Sequence, residues 1–348
     1  MIDLHPETAA QLFARLSDGP KPAAVLERVP SDRPTALQRL CRQLPPVLSA
    51  RVFHTFIERR AQRAGQPFVA RTITDALYRY RTGDALADKV RMCGYWDWRN
   101  LAVAATLCRA GDQIVEIGAN TGTETIGFSR IVGLRGRVTA FEPEPTLLQA
   151  LQSNVRLNGF ANVVTCAAAI ADRDGSVSFS RPASLSNSGV GHIAAASDDV
   201  ANAVVVSAIT LEAIADDLGP ASLISVDVEG HEVSVLRGAA GYLRRFRPAL
   251  VLEVCPMLLA RTGDDMGRLA AQLDALHYQS FEITKFGIRP VRAANCVGDY
   301  EANWLCLPRE HADVSRAIRA MFLQCALTPN VGGIHPLSRL ARDRGGRS

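Results

Sequence analysis

The chain has 348 residues, 47% hydrophobic and 21% charged, with a formal net charge of +4. These proportions are globular and exclude a disordered chain, a collagen and a coiled coil. The length supports a core without disulfides or a structural metal, in two domains or one large domain with an extension. Charge is uneven: residues 1–100 carry 16 basic and 10 acidic side chains, 101–325 carry 19 and 24, and 326–348 carry four and one. An acidic middle is wrong for a phosphate-backbone binder, so no nucleic-acid partner is expected. Only Lys21, Lys89 and Lys285 are lysines, which discounts the many arginines as a nucleic-acid signal. None of the eight cysteines forms a C-x-x-C pair. They read as small core hydrophobes in a reducing, cytoplasmic setting. The first residues have no apolar stretch of a secretory signal, and no run is long enough to span a bilayer.

Residues 1–100 read as mostly helical, with breaks at Pro20–Pro22, Pro30–Pro34 and Pro45–Pro46. Val52, Phe53, Phe56 and Ile57 share one helical face. GYWDW, 94–98, is the most aromatic point; it reads first as a packing plug and second as a wall of a cleft. From 101 the rhythm changes. A helix ending at Gly111 is followed by a strand at 113–119 and a helix at about 123–133. Then come a strand at 137–143, a helix at 145–158 and a strand at 163–170. Strands alternating with helices predict a parallel, doubly wound sheet. Residues 171–210 interrupt it with a β insertion and a polar loop, 184–192, expected as a lid. The α/β pattern resumes with a strand at 223–230, a helix at 232–246, a strand at 248–254 and a helix at 264–276. Two late strands, 278–283 and 302–308, follow. The arginine-rich end reads as a flexible tail.

Three motifs carry chemistry. VEIGANTGTET, 115–125, follows a strand and opens a helix, which is where doubly wound sheets bind ligands. Gly118 and Gly122 permit the tight turn, and Asn120 or Thr121 can cap the helix. The spacing is neither that of a dinucleotide fingerprint nor that of a P-loop. Glu116 would repel a phosphate but accept a hydrogen bond from a cationic, amino-acid-like ligand, which suits S-adenosylmethionine. AFEP, 140–143, puts Glu142 where an acid takes both ribose hydroxyls of an adenosine, about 20 residues beyond the glycine loop. SVDVEGHE, 225–232, runs a buried strand into Asp227, Glu229, His231 and Glu232, groups that should perturb one another's pKa values. They cannot all face inward. Glu253, after the next strand, is a further candidate for the cleft, whereas Asn154 and Asn158 read as serving a helix end.

On these residues the chain resembles the FkbM family of S-adenosylmethionine-dependent methyltransferases. The matching pieces are EIGANTGTET (116–125), FEPEPTLLQALQSNVRLNG (141–159), SLSNSG (184–189), ISVDVEGHEVSVLRGA (224–239) and RPALVLEV (247–254). Glu116 stands where the family usually has Asp, and Ser225 where it often has Lys. The resemblance implies an α/β class I methyltransferase (Rossmann-like) fold with a doubly wound, mostly parallel seven-stranded sheet. A helical extension (1–94) would precede the methyltransferase domain (95–325), and a basic tail (326–348) would follow it.

It also implies O-methylation of a hydroxyl, often on a glycan, glycolipid or other natural product. The expected cofactor contacts are Glu116, Gly118, Ala119, Asn120, Thr121, Gly122, Glu142, Pro143 and Asp227. The expected catalytic residues are Asp227, His231 and Glu229, with His231 suited to base work near neutral pH. No metal is expected, since no ligand spacing is diagnostic; Asp227, Glu229 and His231 would be the set if one bound. Methyl transfer to nitrogen and a non-catalytic nucleotide-binding scaffold are the alternatives.

Overall fold

The computed structural model describes residues 8–18, 35–56, 65–181, 191–193, 203–311, 314–331 and 333–345. The chain enters through α1 (Ala9–Leu16), β1 (Ser17–Asp18), α2 (Ala36–Gln43) and α3 (Pro46–Phe56). Thr8 with Gln11, and Thr35 with Gln38, form reciprocal capping boxes that start α1 and α2.

A hairpin then appears where helix was expected: β2 (Pro67–Arg71) and β3 (Leu77–Arg81), paired antiparallel. The physical reason is period-two burial. Phe68, Ala70 and Tyr78 are buried on one side, while Asp75 takes the left-handed conformation (φ 66°) that turns the chain. The first hundred residues are therefore not all helical. α4 (Ala85–Cys93) and α5 (Trp98–Leu107) follow, capped by Asp84 and Asp97.

The α/β portion comprises β4 (Gln113–Ile117), α6 (Thr125–Val132), β5 (Arg137–Phe141), α7 (Pro145–Leu157) and β6 (Val163–Cys166). An insertion contains β7 (Ala168–Ile170), β8 (Gly175–Ser180), β9 (His192–Ile193) and β10 (Ala203–Ile209). Then come α8 (Ala215–Leu218), β11 (Leu223–Val226), α9 (Glu232–Gly238), α10 (Ala240–Phe246), β12 (Ala249–Val254), α11 (Pro256–Arg261) and α12 (Met266–Ala275). β13 (Tyr278–Thr284), β14 (Gly287–Pro290), β15 (Ala302–Pro308), α13 (Ser315–Leu327) and α14 (Pro336–Gly345) close the chain.

The main sheet runs β1-β6-β5-β4-β11-β12-β15-β13-β14. Among the described residues the sheet has nine strands where seven were expected, with β1 and β14 at its two edges. β6, β5, β4, β11 and β12 are parallel, and β15 runs antiparallel between β12 and β13. All four residues of β11 are buried, as a strand covered on both faces requires. Chain order moves outward from β4 through β5 to β6 on one side and from β11 to β12 on the other. The crevice between the carboxyl ends of β4 and β11 is thus the topological switch point, where ligands bind in this architecture. The insertion folds as a second sheet, β7-β10-β8-β9.

Two further departures from expectation matter. The hairpin is bound to the α/β portion by two asparagines. Asn154 Oδ1 accepts from Arg79 N (2.7 Å), and Asn158 Oδ1 accepts from Leu77 N while its Nδ2 donates to Leu77 O (both 2.7 Å). Both residues therefore hold a strand from far upstream, although Asn158 also donates to Asn154 O at its own helix end. One core cluster accordingly runs across the 94/95 line, from Cys41 and Phe53 to Leu337.

Nor is the basic end a free tail. α14 buries Leu337 and Ala341 completely, Arg342 Nε donates to Asp75 Oδ2 (2.7 Å), and Arg344 Nη1 donates to the carbonyls of Cys108 and Ile131. Its guanidinium groups complete open backbone acceptors and add a second partner to Asp75, which Arg71 also pairs, and composition alone does not reveal this. All eight cysteines are buried thiols.

Candidate active site

The loop after β4 is built by backbone contacts. The amides of Gly118 and Ala119 both donate to Phe141 O (3.0 Å each), and Asp227 N donates to Ile117 O (3.0 Å). Gly118 (φ 86°) lies so close to β11 that a Cβ there would sit 1.8 Å from Asp227 O. Asn120 is left-handed (φ 51°), and its amide donates to Glu142 Oε2 at 2.8 Å. Glu144 N donates to the other oxygen of Glu142 at 2.9 Å. Glu142 is thereby fixed at the carboxyl end of β5, with its remaining lone pairs available to a ligand.

A narrow cleft opens here. Gly118, Asn120, Glu142, Pro143 and Asp227 line it, with an apolar wall that includes Phe141, Ile170, Phe179 and Ile193.

The other expected cofactor residues lie behind the lining. Glu116 is 5% exposed; the Thr125 hydroxyl donates to its Oε2 at 2.5 Å, and burial pushes its carboxyl up to about 8. Ala119 is buried. Thr121 is fully buried and pairs its hydroxyl with Tyr78 Oη (2.8 Å), so its side chain serves the hairpin. A Cβ on Gly122 would meet Leu151 Cδ1 at 2.6 Å. Burial lifts Glu142 to about 7.

Asp227 stands one residue beyond β11 and opens onto the cleft. Glu229 is left-handed (φ 54°), a conformation rare outside glycine that turns its carboxylate toward Asp227 and Glu253. One oxygen from each of these three carboxylates lies within 4.8 Å of the others. Crowding raises them all. Removal from bulk water, opposed by a hydrogen bond with Glu253 and reinforced by the Glu229 charge, raises Asp227, and burial with the Glu253 charge raises Glu229. The adjacent Asp227 charge, then burial, hold Glu253 well above its ordinary range. Such a group holds protons that water-exposed carboxylates release.

Sequence reasoning missed Glu124 and did not place Glu232. Glu124, inside the quoted first motif, is pushed well above its ordinary value by burial, and its Oε1 accepts from Asn100 Nδ2 (3.0 Å). Glu232 is 2% exposed; Oε1 accepts from Gly230 N (3.1 Å) and Oε2 is without a partner. Burial raises it to about 7.

His231 does not join the three carboxylates. Its Nε2 lies 2.9 Å from Ile193 O, against the insertion sheet. Burial lowers its pKa, which keeps the ring neutral, with Nε2 as donor and Nδ1 as the remaining acceptor. Glu253, rather than His231, completes the group with Asp227 and Glu229. The expected lid, 184–192, lies outside the described residues except for Gly191 and His192. Gly191 lines the cleft, and His192 lies in β9.

The sheet order, the glycine loop at the switch point and an acid at the end of the neighbouring strand define a Rossmann-like domain of the methyltransferase class. Residues 116–280 match the methyltransferase FkbM domain.

Among solved structures the chain is similar to the methyltransferase FkbM from Methylobacillus flagellatus KT (18% identity, TM-score 0.38). That match covers 57% of this chain and 44% of the other, so the chain spans less than half of that protein's length. It is also similar to an S-adenosylmethionine-dependent O-methyltransferase from Thermotoga maritima (14% identity, TM-score 0.34, 70% and 78% covered). A third is the precorrin-6y C5,15-methyltransferase from Geobacter metallireducens GS-15 (12%, TM-score 0.33, 60% and 86%). No curated protein matches the chain. Among the described residues, no helix is long and apolar enough to cross a membrane.

Proposed function

We propose that the protein transfers a methyl group from S-adenosylmethionine to a hydroxyl of a carbohydrate-containing or natural-product acceptor. The observation that carries this reading is the pairing of two acidic features across one cleft. At one end Glu142 is fixed by the amides of Asn120 and Glu144; at the other Asp227 opens beside Glu229 and Glu253.

The residues fit the cofactor. Glu142 presents lone pairs for two ribose hydroxyls, and the apolar wall suits an adenine ring. Gly118 and Asn120 line the cleft beside Asp227, where the amino-acid portion would lie, and the tight turn through Ala119 and Gly122 holds them there. Pro143 closes the wall behind Glu142. Glu116 and Thr121 hold the loop from beneath, and the acidity of the cleft favours a ligand carrying ammonium and sulfonium charges.

When bound, the cofactor supplies a methyl group already activated on sulfur, so the protein supplies alignment and a proton acceptor. The transfer breaks the carbon–sulfur bond, makes a carbon–oxygen bond and leaves the hydroxyl proton on the protein. Asp227 is the group we assign to accept it, because it lines the cleft and its raised pKa makes its ionised form a stronger base than an ordinary carboxylate. Glu229 shares the proton and restrains Asp227. His231, neutral and held to Ile193, offers Nδ1 as a second acceptor at the rim.

Thermal melting with S-adenosylhomocysteine tests the proposal. At 100 times its dissociation constant a ligand adds about 2.7 kcal/mol of stability, which is readily seen as a raised melting temperature. A folded protein whose melting does not respond would contradict it.

A further inference from the structure

A second cavity, of about 200 Å³, lies where the N-terminal helices meet the start of α5. Its wall includes Arg51 and His54 from α3, Lys89 from α4, Trp96 and Arg99 from around the start of α5, and Lys285 after β13. Asp97 is the single acidic group in that wall. Asp97 is already engaged: it pairs with Arg99 and accepts from Asn303 Nδ2 at 3.1 Å. Arg51 and Lys285 are exposed and have no carboxylate partner among the described residues. Lys89 Nζ lies 4.5 Å from the centre of the Trp96 ring, so cation and indole are presented together. The expected aromatic run thus divides its work. Tyr95 and Trp98 are buried in the core, while Trp96 is half-buried at this wall.

The cavity abuts the carboxylate group through two residues. Asn303, which holds Asp97, is the register partner of Glu253 in the β12–β15 ladder. Arg99, in the wall, lies close enough to Glu124 and Glu253 for both charges to act on it. These links run from the cavity wall to the group that we assign to accept a proton. An indole face recognises the C–H face of a pyranose, and a cluster of cations recognises an anion.

From this we infer that the cavity is the acceptor site and that the acceptor is an anionic saccharide, bearing a carboxylate or a phosphate away from the hydroxyl that is methylated. The inference rests on the methyl-transfer reading above.

The test is a fluorescence titration that follows Trp96, using the whole chain in the presence of S-adenosylhomocysteine. The probes are glucuronate, glucose 1-phosphate and glucose. Glucuronate or glucose 1-phosphate should bind about tenfold or more tightly than glucose, with an affinity that falls as salt rises. Whichever of the two wins identifies the anion. Arg51→Gln combined with Lys285→Gln should bring that preference close to parity while leaving the S-adenosylhomocysteine melting shift intact. Both positions are exposed, so the double variant should fold. Equal affinity for glucose and both anions, no binding of any probe, or a preference that survives in the double variant would overturn the inference. A failed melting response alongside a retained anion preference would instead refute the methyl-transfer reading and leave an anionic-saccharide cavity.

Discussion

Gly118 rests its α-carbon against the carbonyl oxygen of Asp227. This contact locks the glycine loop after β4 to the end of β11, with 1.8 Å between that oxygen and any Cβ placed on Gly118. The glycine also holds φ at 86°, where an L side chain is strained. One contact thus sets the distance between the loop that would hold the cofactor and the carboxylate that would act beside it.

Gly118→Ala should therefore separate loop and strand. Overpacking against backbone costs about 1–3 kcal/mol, and the left-handed conformation adds to it. Urea unfolding should show a loss of about 2 kcal/mol or more, and the S-adenosylhomocysteine melting shift should disappear. Unchanged stability would mean that the loop does not pack on Asp227.

Stability should fall as pH rises from about 6.5 to about 8.5. Glu116 is raised to about 8, Glu142 and Glu232 to about 7, and Glu229 is raised as well. In this window the folded protein binds more protons than the unfolded chain, so the unfolding free energy declines with pH. The contribution of a raised carboxylate is complete below its unfolded pKa and lost as pH passes the folded one. Burial lowers His335 to about 4, and that group acts below this window. A melting temperature that is flat or rises between pH 6.5 and 8.5 would refute the buried-acid arrangement.

Removing residues 336–348 should expose the pocket that Leu337 and Ala341 fill and leave Asp75 without Arg342. Burial of one leucine is worth about 2 kcal/mol, and at least that loss is expected in urea unfolding. Proteolysis should then cut first near the 72–76 turn. Full stability after truncation would contradict the packing of α14.

Asp227→Asn keeps shape while removing a proton acceptor. Methyl transfer should fall about 10²–10⁴-fold, the usual contribution of a general base, measured as label passing from S-adenosylmethionine into saccharide acceptors. His231→Gln should cost far less, since His231 is turned toward Ile193. The reverse order would move the base assignment to His231.

The parts of the site legible in the sequence were those where a strand pattern ends in a turn. Glu142 and the loop from Gly118 to Gly122 announce themselves by local order, and so does Asp227. What the sequence hid depends on contacts made far along the chain. Asn154 is bound to Arg79, and Asn158 to Leu77, across 75 and 81 positions. The five-residue strands of the hairpin carry arginines and tyrosines that also fit a helical reading. In α14, what decides is which backbone carbonyls are open to Arg344, and these come from Cys108 and Ile131. Which members of 229–232 turn inward depended on the left-handed backbone at Glu229, a choice that favours glycine or asparagine in ordinary sequences. That conformation sends Glu229 to the cluster, while Glu232 is buried and His231 packs on the insertion.

The most direct measurement is isothermal titration of the wild-type chain and of Glu142→Ala with S-adenosylmethionine. The account predicts one site per wild-type chain and an affinity about 100-fold weaker in the variant, equivalent to about 2.7 kcal/mol. No heat with the folded wild type, or equal affinity in the two proteins, would contradict it.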